Sequence, residues 1–191
     1  MGKIVGAFWV PHDPVMFVAP EAPAQEVRDK VWGAYETCAK RMAELEATTA
    51  IIVGNDHYII FGTQKLPQYL SGSGDIDGPV ENLPGLERGF FKNNEKLAEH
   101  IIETGKKEGF DWSVGRSFTV DHAYSIPQQY IVKPAGELLG REIPAIPVYI
   151  ASGVDPFISL ERAAQLGEHI RRAVESFPED ERVVIIGSGG I

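Results

Sequence analysis

The sequence predicts an α/β fold, a single layered domain in which helices flank a mostly parallel or mixed central sheet. Short apolar runs of strand length alternate with longer stretches in which apolar residues recur every three or four positions, the pattern of amphipathic helices. This alternation is typical of strands that pair in parallel while the connecting helices cover the sheet. No shift in composition marks a second domain, so residues 1–191 are predicted to form one domain.

The N-terminal third of the chain predicts a strand, a helix and a second strand. Lys3 to Trp9 is a short apolar run that ends before Pro11, and Thr48 to Gly54 is a similar run. Between them, apolar residues from Val27 to Leu45 define one buried face of a helix. Cys38 shares that spacing, so we expect it to have a buried, apolar role.

The middle of the chain predicts a long loop, a helix and a short strand. The segment from Gly62 to Gly89 is rich in Gly, Pro, Ser and Asp without a sustained period, which predicts a loop of functional length. Asn94 to Lys107 shows helical spacing. Asp121-His122, within the stretch from Phe118 to Pro127, then lies at the close of a β-prone run and before a possible short helix.

The last third predicts two strands around a helix. Ile143 to Ala151 contains two prolines, which cannot donate ladder hydrogen bonds, so we expect this strand near a sheet edge or interrupted. Apolar spacing from Leu160 to Phe177 predicts a helix whose start is marked by Ser159. Arg182 to Gly187 predicts a final buried strand.

Charge and composition favour small-molecule chemistry over binding to macromolecules. A net charge of -9 disfavours nucleic acid and anionic membrane surfaces as partners, because both attract clusters of Lys and Arg. No apolar run approaches the roughly 18 residues needed to span a bilayer. A single cysteine, Cys38, fits a reducing compartment. We therefore predict a cytoplasmic protein.

Two histidines follow predicted strands directly. His12 lies in Val10-Pro11-His12-Asp13-Pro14 after the first strand, and His57 ends Gly54-Asn55-Asp56-His57 after the second. Ligands collect beyond the carboxyl ends of parallel strands, and neutral imidazole is a common ligand of iron and zinc. The pair predicts a metal site, with hydrogen-bonded loop residues as an equally weighted alternative.

A third histidine, His122, follows Asp121. A carboxylate beside a histidine can orient it for proton transfer, which makes this pair a catalytic candidate. In the alternative, Asp121 caps the following turn and His122 packs against it. His100 and His169 lie within helical patterns among charged neighbours, and we predict that both face solvent.

The run Gly187-Ser188-Gly189-Gly190 follows the last predicted strand and is weakly similar to a phosphate loop. It lacks the spacing and the lysine of known phosphate-binding loops. We expect its glycines to allow a tight turn or a close approach of the backbone to the site.

Taken in order, these motifs resemble a known family. Pro11-His12-Asp13-Pro14, Asn55-Asp56-His57, Asp121-His122, Ser176-Phe177-Pro178-Glu179-Asp180 and the run from Val183 to Ile191 are similar to the catalytic subunit of class III extradiol dioxygenases, of the protocatechuate 4,5-dioxygenase type. The resemblance covers nearly the whole chain.

The resemblance implies Fe(II) held by two histidines and a glutamate, with a catechol-type aromatic substrate and O2 on the remaining positions. His12 and His57 match the histidine ligands, and His122 matches a histidine that hydrogen-bonds a bound oxygen. Asn55 is a weaker candidate for substrate binding. The family also implies assembly, as a homo-oligomer or with a small subunit.

The sequence departs from the family pattern at its C-terminal end. In the family, the glycine turn continues into a Ser-His pair whose histidine is the acid/base, and the glutamate ligand follows later; this sequence stops at Ile191. Asp13, Asp56 and Asp121 are the alternative carboxylates, although Asp56 and His57 would point to opposite faces of an extended strand.

We therefore expect residues 1–191 to bind iron weakly and to turn over slowly or not at all, as a truncated version of a longer enzyme. Two other hypotheses remain: a non-catalytic subunit of the same fold, and a zinc-dependent relative, since two histidines do not choose between iron and zinc.

Overall fold

Seven strands form one mixed sheet in the computed structural model, which describes residues 1–153 and 155–189. The strands are β1 Lys3–Pro11, β2 Thr49–Asn55, β3 Tyr69–Gly78, β4 Gly89–Phe91, β5 Ser113–Thr119, β6 Ala145–Ile150 and β7 Arg182–Gly189. The helices are α1 Val15–Val18, α2 Gln25–Glu44, α3 Glu95–Glu108, α4 His122–Pro127, α5 Lys133–Leu139 and α6 Leu160–Ser176, with a π-helical turn at Gln128–Val132 between α4 and α5. This architecture confirms the predicted fold class.

The four strands β1, β7, β2 and β6 run parallel and lie side by side in that order. Their carboxyl ends therefore meet at one edge of the sheet, where His12 and His57 follow β1 and β2. Beyond β6, the strand β3 pairs antiparallel with β6 and β4 and parallel with β5, which makes the sheet mixed.

One buried apolar cluster lies on each face of the sheet. Ile52, Tyr124 and Ile186 belong to the cluster that α2, α4 and α5 cover. Ile51, Ile101 and Ile170 belong to the other, which α3 and α6 cover. Ile51 and Ile52 are neighbours on β2, so the alternation of side chains along a buried strand supplies both clusters.

The predicted edge position of the proline-containing strand is wrong. β6 lies inside the sheet, between β2 and β3. Its antiparallel ladder with β3 is short and ends at the Ser71–Val148 pair. Beyond that pair, the ring of Pro147 packs against Gly72, where a Cβ atom would come within 2.6 Å of it. The absence of a side chain at Gly72 is what admits proline to an interior strand.

The long predicted loop from Gly62 to Gly89 is also wrong in part, because ten of its residues form β3. Small residues in this strand allow its neighbours to come close. A Cβ at Gly74 would lie 2.0 Å from the carbonyl oxygen of Arg116 on β5. Glycines that permit close backbone approach have no apolar period, so the strand resembles a loop in sequence.

The three long helices α2, α3 and α6 begin and end close to the predicted residues, whereas α1 and α5 were not predicted. The side chain of Asn94 accepts a hydrogen bond from the amide of Leu97 at the start of α3, and Ser159 accepts one from Arg162 at the start of α6. Cys38 is half-buried on α2 and packs against the core. Among the described helices, none combines the length and apolarity needed to cross a bilayer, and the cytoplasmic location stays a prediction.

The glycine-rich segment after the last strand is not a separate turn. Gly187 and Gly189 continue β7 and pair with Trp9 and Pro11 of β1. A Cβ at Gly189 would lie 2.9 Å from the indole nitrogen of Trp9, so the close approach is to this side chain. Gly190 and Ile191 lie outside the described residues.

Candidate metal centre

The structure brings three histidine rings together at the carboxyl edge of the sheet. The ring centroids of His12 and His57 lie 4.9 Å apart, and those of His12 and His122 lie 5.3 Å apart. His57 and His122 are stacked with their centroids 5.1 Å apart. One ring nitrogen from each residue lies within 4.8 Å of the others. The cluster therefore unites the two predicted ligands with the predicted catalytic histidine.

His12 is fixed by contacts with β7 and with its own loop. Its amide donates a hydrogen bond to the carbonyl of Gly189, 2.9 Å away. The next residue, Asp13, accepts a hydrogen bond from the amide of Val15 and so shapes the turn into α1. The His12 side chain is fully buried, so its ring has little freedom to turn.

His57 follows β2 in a turn that Asp56 organises. The Asp56 carboxylate accepts hydrogen bonds from the amides of Tyr58, Ile60 and Phe61 at 3.1, 3.3 and 3.4 Å. These bonds satisfy backbone donors of the loop, and they occupy a carboxylate that the sequence left open as a ligand. Asp56 thus organises the turn that carries His57, and its engaged carboxylate agrees with the expectation that Asp56 is an unlikely co-ligand of His57.

Ser188 determines which nitrogen of His12 carries the proton. The Ser188 hydroxyl donates to the carbonyl of Ala123 at 2.5 Å, and the Nδ1 atom of His12 lies 2.8 Å from the same hydroxyl oxygen. Because the hydroxyl proton is engaged, Nδ1 of His12 must donate, which leaves the lone pair on Nε2. This outer contact is of the kind that orients histidines on metals.

The Nε2 lone pair of His12 faces His57. Their Nε2 atoms are 3.1 Å apart. Two imidazole nitrogens that each bind one divalent ion at about 2.1 Å and at right angles lie about 3.0 Å apart. The observed spacing therefore fits two adjacent ligands of one cation.

Burial and neighbouring charges shift the pKa values of His12 and His122 in opposite directions. Burial, together with the neighbouring His57 and His122, lowers the pKa of His12 to about 4. Burial also acts to lower the pKa of His122, but its hydrogen bond to Glu81 and the charge of Asp121 outweigh burial and raise this pKa above its ordinary value. His12 is thus neutral at pH 7, the form that binds metals, whereas His122 favours its protonated form.

His122 begins α4, and Asp121 caps that helix. The Asp121 carboxylate accepts hydrogen bonds from the amide of Ala123 at 3.1 Å and from the hydroxyl of Tyr149 at 2.6 Å. The capping half of the predicted alternative is therefore confirmed, whereas the packing of His122 against Asp121 is not what fixes the ring. The carboxylate that pairs with His122 is that of Glu81, whose Oε1 lies 2.5 Å from Nδ1.

Several buried polar atoms of the site have no hydrogen-bond partner among the described residues. They include Nδ1 of His57 and Oδ2 of Asp121, which lie 3.8 Å apart, and Oε2 of Glu81. Buried groups of this kind are costly unless a ligand or an ion satisfies them. Together with the paired Nε2 atoms, they indicate a site that is built around a cation.

The remaining candidates are less directly placed. Asn55 ends β2, and its Nδ2 atom packs beside Gly153, where a Cβ would lie 3.0 Å away. Its Oδ1 atom is buried and unpaired within the part of the chain that the structure describes. The carboxylate of Asp13 serves the α1 turn. The three-histidine cluster contains no aspartate, but Asp121 belongs to a second group, with Glu81 and His122, whose possible ligand atoms lie within 4.8 Å of one another.

Two residues of the site were not singled out by sequence. Glu81 lies in the predicted long loop, and Ser188 lies among the C-terminal glycines. The one available signal was that Ser188 interrupts a glycine run directly after a buried strand. No local pattern connects Glu81 to His122, 41 residues later.

The two helical histidines have different environments. His100 is partly exposed and lies 3.0 Å from the Ser176 hydroxyl. The predicted solvent-facing position of His169 is wrong, because its side chain is fully buried on α6. Its Nδ1 atom lies 3.0 Å from Glu108, and its ring stacks on Phe110. Charged neighbours in the sequence of α6 hid this buried face.

Comparison with known proteins gives both a family and curated relatives. The family described as "Catalytic LigB subunit of aromatic ring-opening dioxygenase" matches residues 6–191. The 2,3-dihydroxyphenylpropionate/2,3-dihydroxicinnamic acid 1,2-dioxygenase of Escherichia coli O139:H28 (strain E24377A / ETEC) is 29% identical over 174 residues, which are 88% of this chain and 51% of that protein. The protein of the same name from Escherichia coli strain K12 / DH10B matches with the same values. The chain spans about half the length of these curated relatives.

Proposed function

Because this chain belongs to the family of LigB catalytic subunits of aromatic ring-opening dioxygenases, we propose that it cleaves a catechol-type ring with O2 in an extradiol, Fe(II)-dependent reaction. The 3.1 Å approach of the Nε2 atoms of His12 and His57 is the observation that carries this proposal. The two imidazoles are the proposed metal ligands. The finer resemblance to protocatechuate 4,5-dioxygenase-type enzymes is part of this proposal and leaves the substituents of the catechol ring open.

Iron is the metal that this chemistry needs, because Fe(II) offers adjacent open positions at which a catechol and O2 meet. His12 and His57 would hold it through ring nitrogens, and the hydrogen bond from His12 Nδ1 to Ser188 would keep the His12 ring in the orientation that presents Nε2. Burial of His12 removes water from one side of the site. The protein thereby supplies orientation before reaction.

His122 is the proposed catalytic residue. Its ring lies within 5.3 Å of both proposed ligands, measured between centroids, so a catechol oxygen at the metal would lie within its reach. A protonated His122 donates a hydrogen bond to such an oxygen, and a neutral His122 accepts the proton of a catechol hydroxyl. Asn55 is proposed to contact the substrate through its unpaired Oδ1 atom.

Family membership does not favour the two other hypotheses. The family is one of catalytic subunits, whereas a non-catalytic relative would have no need to keep three histidines in contact. A zinc-dependent relative would bind the same nitrogens but would not activate O2. Assembly into a homo-oligomer or with a small subunit remains part of the proposal.

An anaerobic Fe(II) titration tests the metal site. Wild-type protein should bind one Fe(II) per chain, and His12→Ala and His57→Ala should each lose this binding. His100→Ala is the matched control, because His100 lies on α3 outside the histidine cluster and its Nε2 atom lies 3.0 Å from the Ser176 hydroxyl. Equal iron affinity in the wild type and His12→Ala would contradict the proposed metal site.

A single-turnover experiment tests the reaction. Iron-loaded protein in excess over catechol should consume one O2 per ring and form a ring-opened product, slowly but above the His12→Ala background. Formation of quinone without ring opening, or no product above that background, contradicts the proposed function. Metal analysis of protein made without added metal decides between iron and zinc.

A further inference from the structure

We propose that Glu81 is a positioning residue for His122, and that it holds the Nδ1 proton so that Nε2 of His122 faces the reacting oxygen. The inference rests on the proposed function and adds a residue to it. Its first support is the contact itself, 2.5 Å from Oε1 of Glu81 to Nδ1 of His122. The short distance is typical of a charge-assisted hydrogen bond.

The segment that carries Glu81 is tied to the segment that carries His122. The amide of Val80 donates to the carbonyl of Val120 at 2.8 Å, and the amide of Val120 donates to the carbonyl of Asp77 at the same distance. Gly78 has a φ of 147°, and a Cβ there would lie 2.7 Å from the Val120 carbonyl oxygen. This close approach requires glycine, and it places Glu81 against the first residue of α4.

Among the described residues, Asp121 is the other carboxylate close to His122, within 4.8 Å of a ring nitrogen. One oxygen of Asp121, although it is adjacent in sequence, is committed to the Ala123 amide and the Tyr149 hydroxyl. The side chain of Glu81 is only 18% exposed, and its second oxygen has no partner among residues 1–153 and 155–189. Its carboxylate is therefore directed inward at His122.

The consequence for the ring is a choice of tautomer. When Nδ1–H donates to Glu81, the neutral ring carries its lone pair on Nε2. Nε2 is then the nitrogen available to accept a proton from a substrate oxygen or to return it. Without Glu81, both tautomers and more than one ring orientation become available, and only part of the population is competent.

Nitrogen NMR of metal-free protein tests this role without depending on activity. At alkaline pH, where the imidazole is neutral, the wild type should show His122 protonated on Nδ1. Glu81→Leu should shift His122 toward a mixture of tautomers, whereas Glu81→Gln should keep Nδ1 protonated, because its amide oxygen still accepts. Glu87→Gln is the matched control, since Glu87 lies in the same segment, is exposed and pairs with Lys133 at 3.3 Å.

Kinetics then connect the tautomer to the reaction. Glu81→Leu should lower kcat roughly 10- to 100-fold, the usual range for outer contacts of a site, with the KM for catechol and the Fe(II) affinity unchanged. Glu81→Gln should recover a large part of the rate. If Glu81→Leu does not fold, Glu81→Asp, which withdraws the carboxylate by one methylene, should show the same tautomer shift.

Three results overturn the inference: an unchanged His122 tautomer in Glu81→Leu, a changed tautomer with unchanged kcat, or a loss of Fe(II) affinity as large as the loss of kcat. The last result would make Glu81 part of the metal site. If the wild type opens no ring, the proposed function fails, and the NMR arm still decides whether Glu81 orients His122.

Discussion

The Ser188 hydroxyl on β7 orients the ring of His12, which directly follows β1. Ser188 on β7 donates to Ala123 and accepts from Nδ1 of His12, so its two hydrogen bonds fix the direction in which the His12 lone pair points. The distance of 3.1 Å between the Nε2 atoms of His12 and His57 depends on that direction. At the scale of single residues, the proposed metal site is thus shaped by a side chain that is not itself a proposed ligand.

Replacement of Ser188 by alanine should weaken metal binding. The change removes the acceptor for His12 Nδ1–H, so the ring loses its fixed tautomer, and the Fe(II) affinity should fall roughly 10- to 100-fold. Anaerobic titration measures this. Ser71→Ala is the control, because the Ser71 hydroxyl is buried on β3 and has no hydrogen-bond partner in the described ranges. Equal losses in the two variants would contradict the role of Ser188.

At the scale of elements, β3 holds the sheet together through residues without side chains. It pairs with β6, β4 and β5, and Gly72 and Gly74 let Pro147 and the Arg116 backbone come close. The same strand leads into the segment that carries Glu81. Its packing therefore bears on the site as well as on stability.

We expect Gly74→Ala to destabilise the protein by about 1–3 kcal/mol, the usual cost of overpacking, because a Cβ would lie 2.0 Å from the Arg116 carbonyl oxygen. Gly33→Ala is the matched substitution. Gly33 lies in α2 with nothing within 4 Å of an added Cβ. Gly33→Ala should therefore raise the free energy of unfolding by about 0.5–1 kcal/mol. Urea unfolding distinguishes the two, and a stability for Gly74→Ala at or above the wild-type value would contradict the packing argument.

Helices α3 and α6 are joined by a polar contact with a defined dependence on pH. The hydrogen bond from Arg172, together with that from His169, lowers the pKa of Glu108 to about 2. The charged carboxylate is therefore favoured by folding. The contribution of this charged carboxylate to the free energy of unfolding is present above the ordinary glutamate pKa and is lost as the pH falls toward 2.

Glu108→Gln should accordingly destabilise the protein at pH 7, and the difference from the wild type should shrink as the pH falls from the ordinary glutamate range toward 2. Thermal unfolding over this range measures the effect. Glu99→Gln, on the same helix and paired with Arg116 at the surface, should change stability little at any pH. A constant difference between Glu108→Gln and the wild type would be evidence against the charge effect.

The molecule as a whole is acidic, and its Lys and Arg residues lie outside the sequence segments that carry the site. Neither Lys nor Arg occurs in the four segments that carry the three histidines and Glu81. These segments are residues 4–27, 42–64, 66–87 and 117–132. The same segments contain Asp13, Asp56, Glu81 and Asp121. These segments therefore supply no Lys or Arg that could pair with a substrate carboxylate, which would meet the negative charge of these acidic side chains.

We expect a preference for uncharged catechols. Methyl protocatechuate should have a kcat/KM about tenfold or more above that of protocatechuate, a difference of ~1.4 kcal/mol. Added salt should narrow the gap, because it screens the repulsion. The ester is the matched probe, since it keeps the ring and removes the charge. A higher kcat/KM for the free acid at low salt would show that a cation serves the site.

The sequence by itself determined the fold class, the principal helices and the parallel strands, and it identified His12, His57 and His122. These features follow local rules: a helical period, a buried apolar run, a histidine after a strand. Each rule needs only residues near one another in the chain.

Tertiary structure alone decided the interior position of β6, the existence of β3, and the partners of the histidines. Ser188 and His12 are 176 residues apart, and Glu81 and His122 are 41 apart. Contacts of this kind depend on which strands become neighbours and on how closely glycines let them approach. A local pattern carries no record of either, because the packing that selects them is a property of the whole sheet.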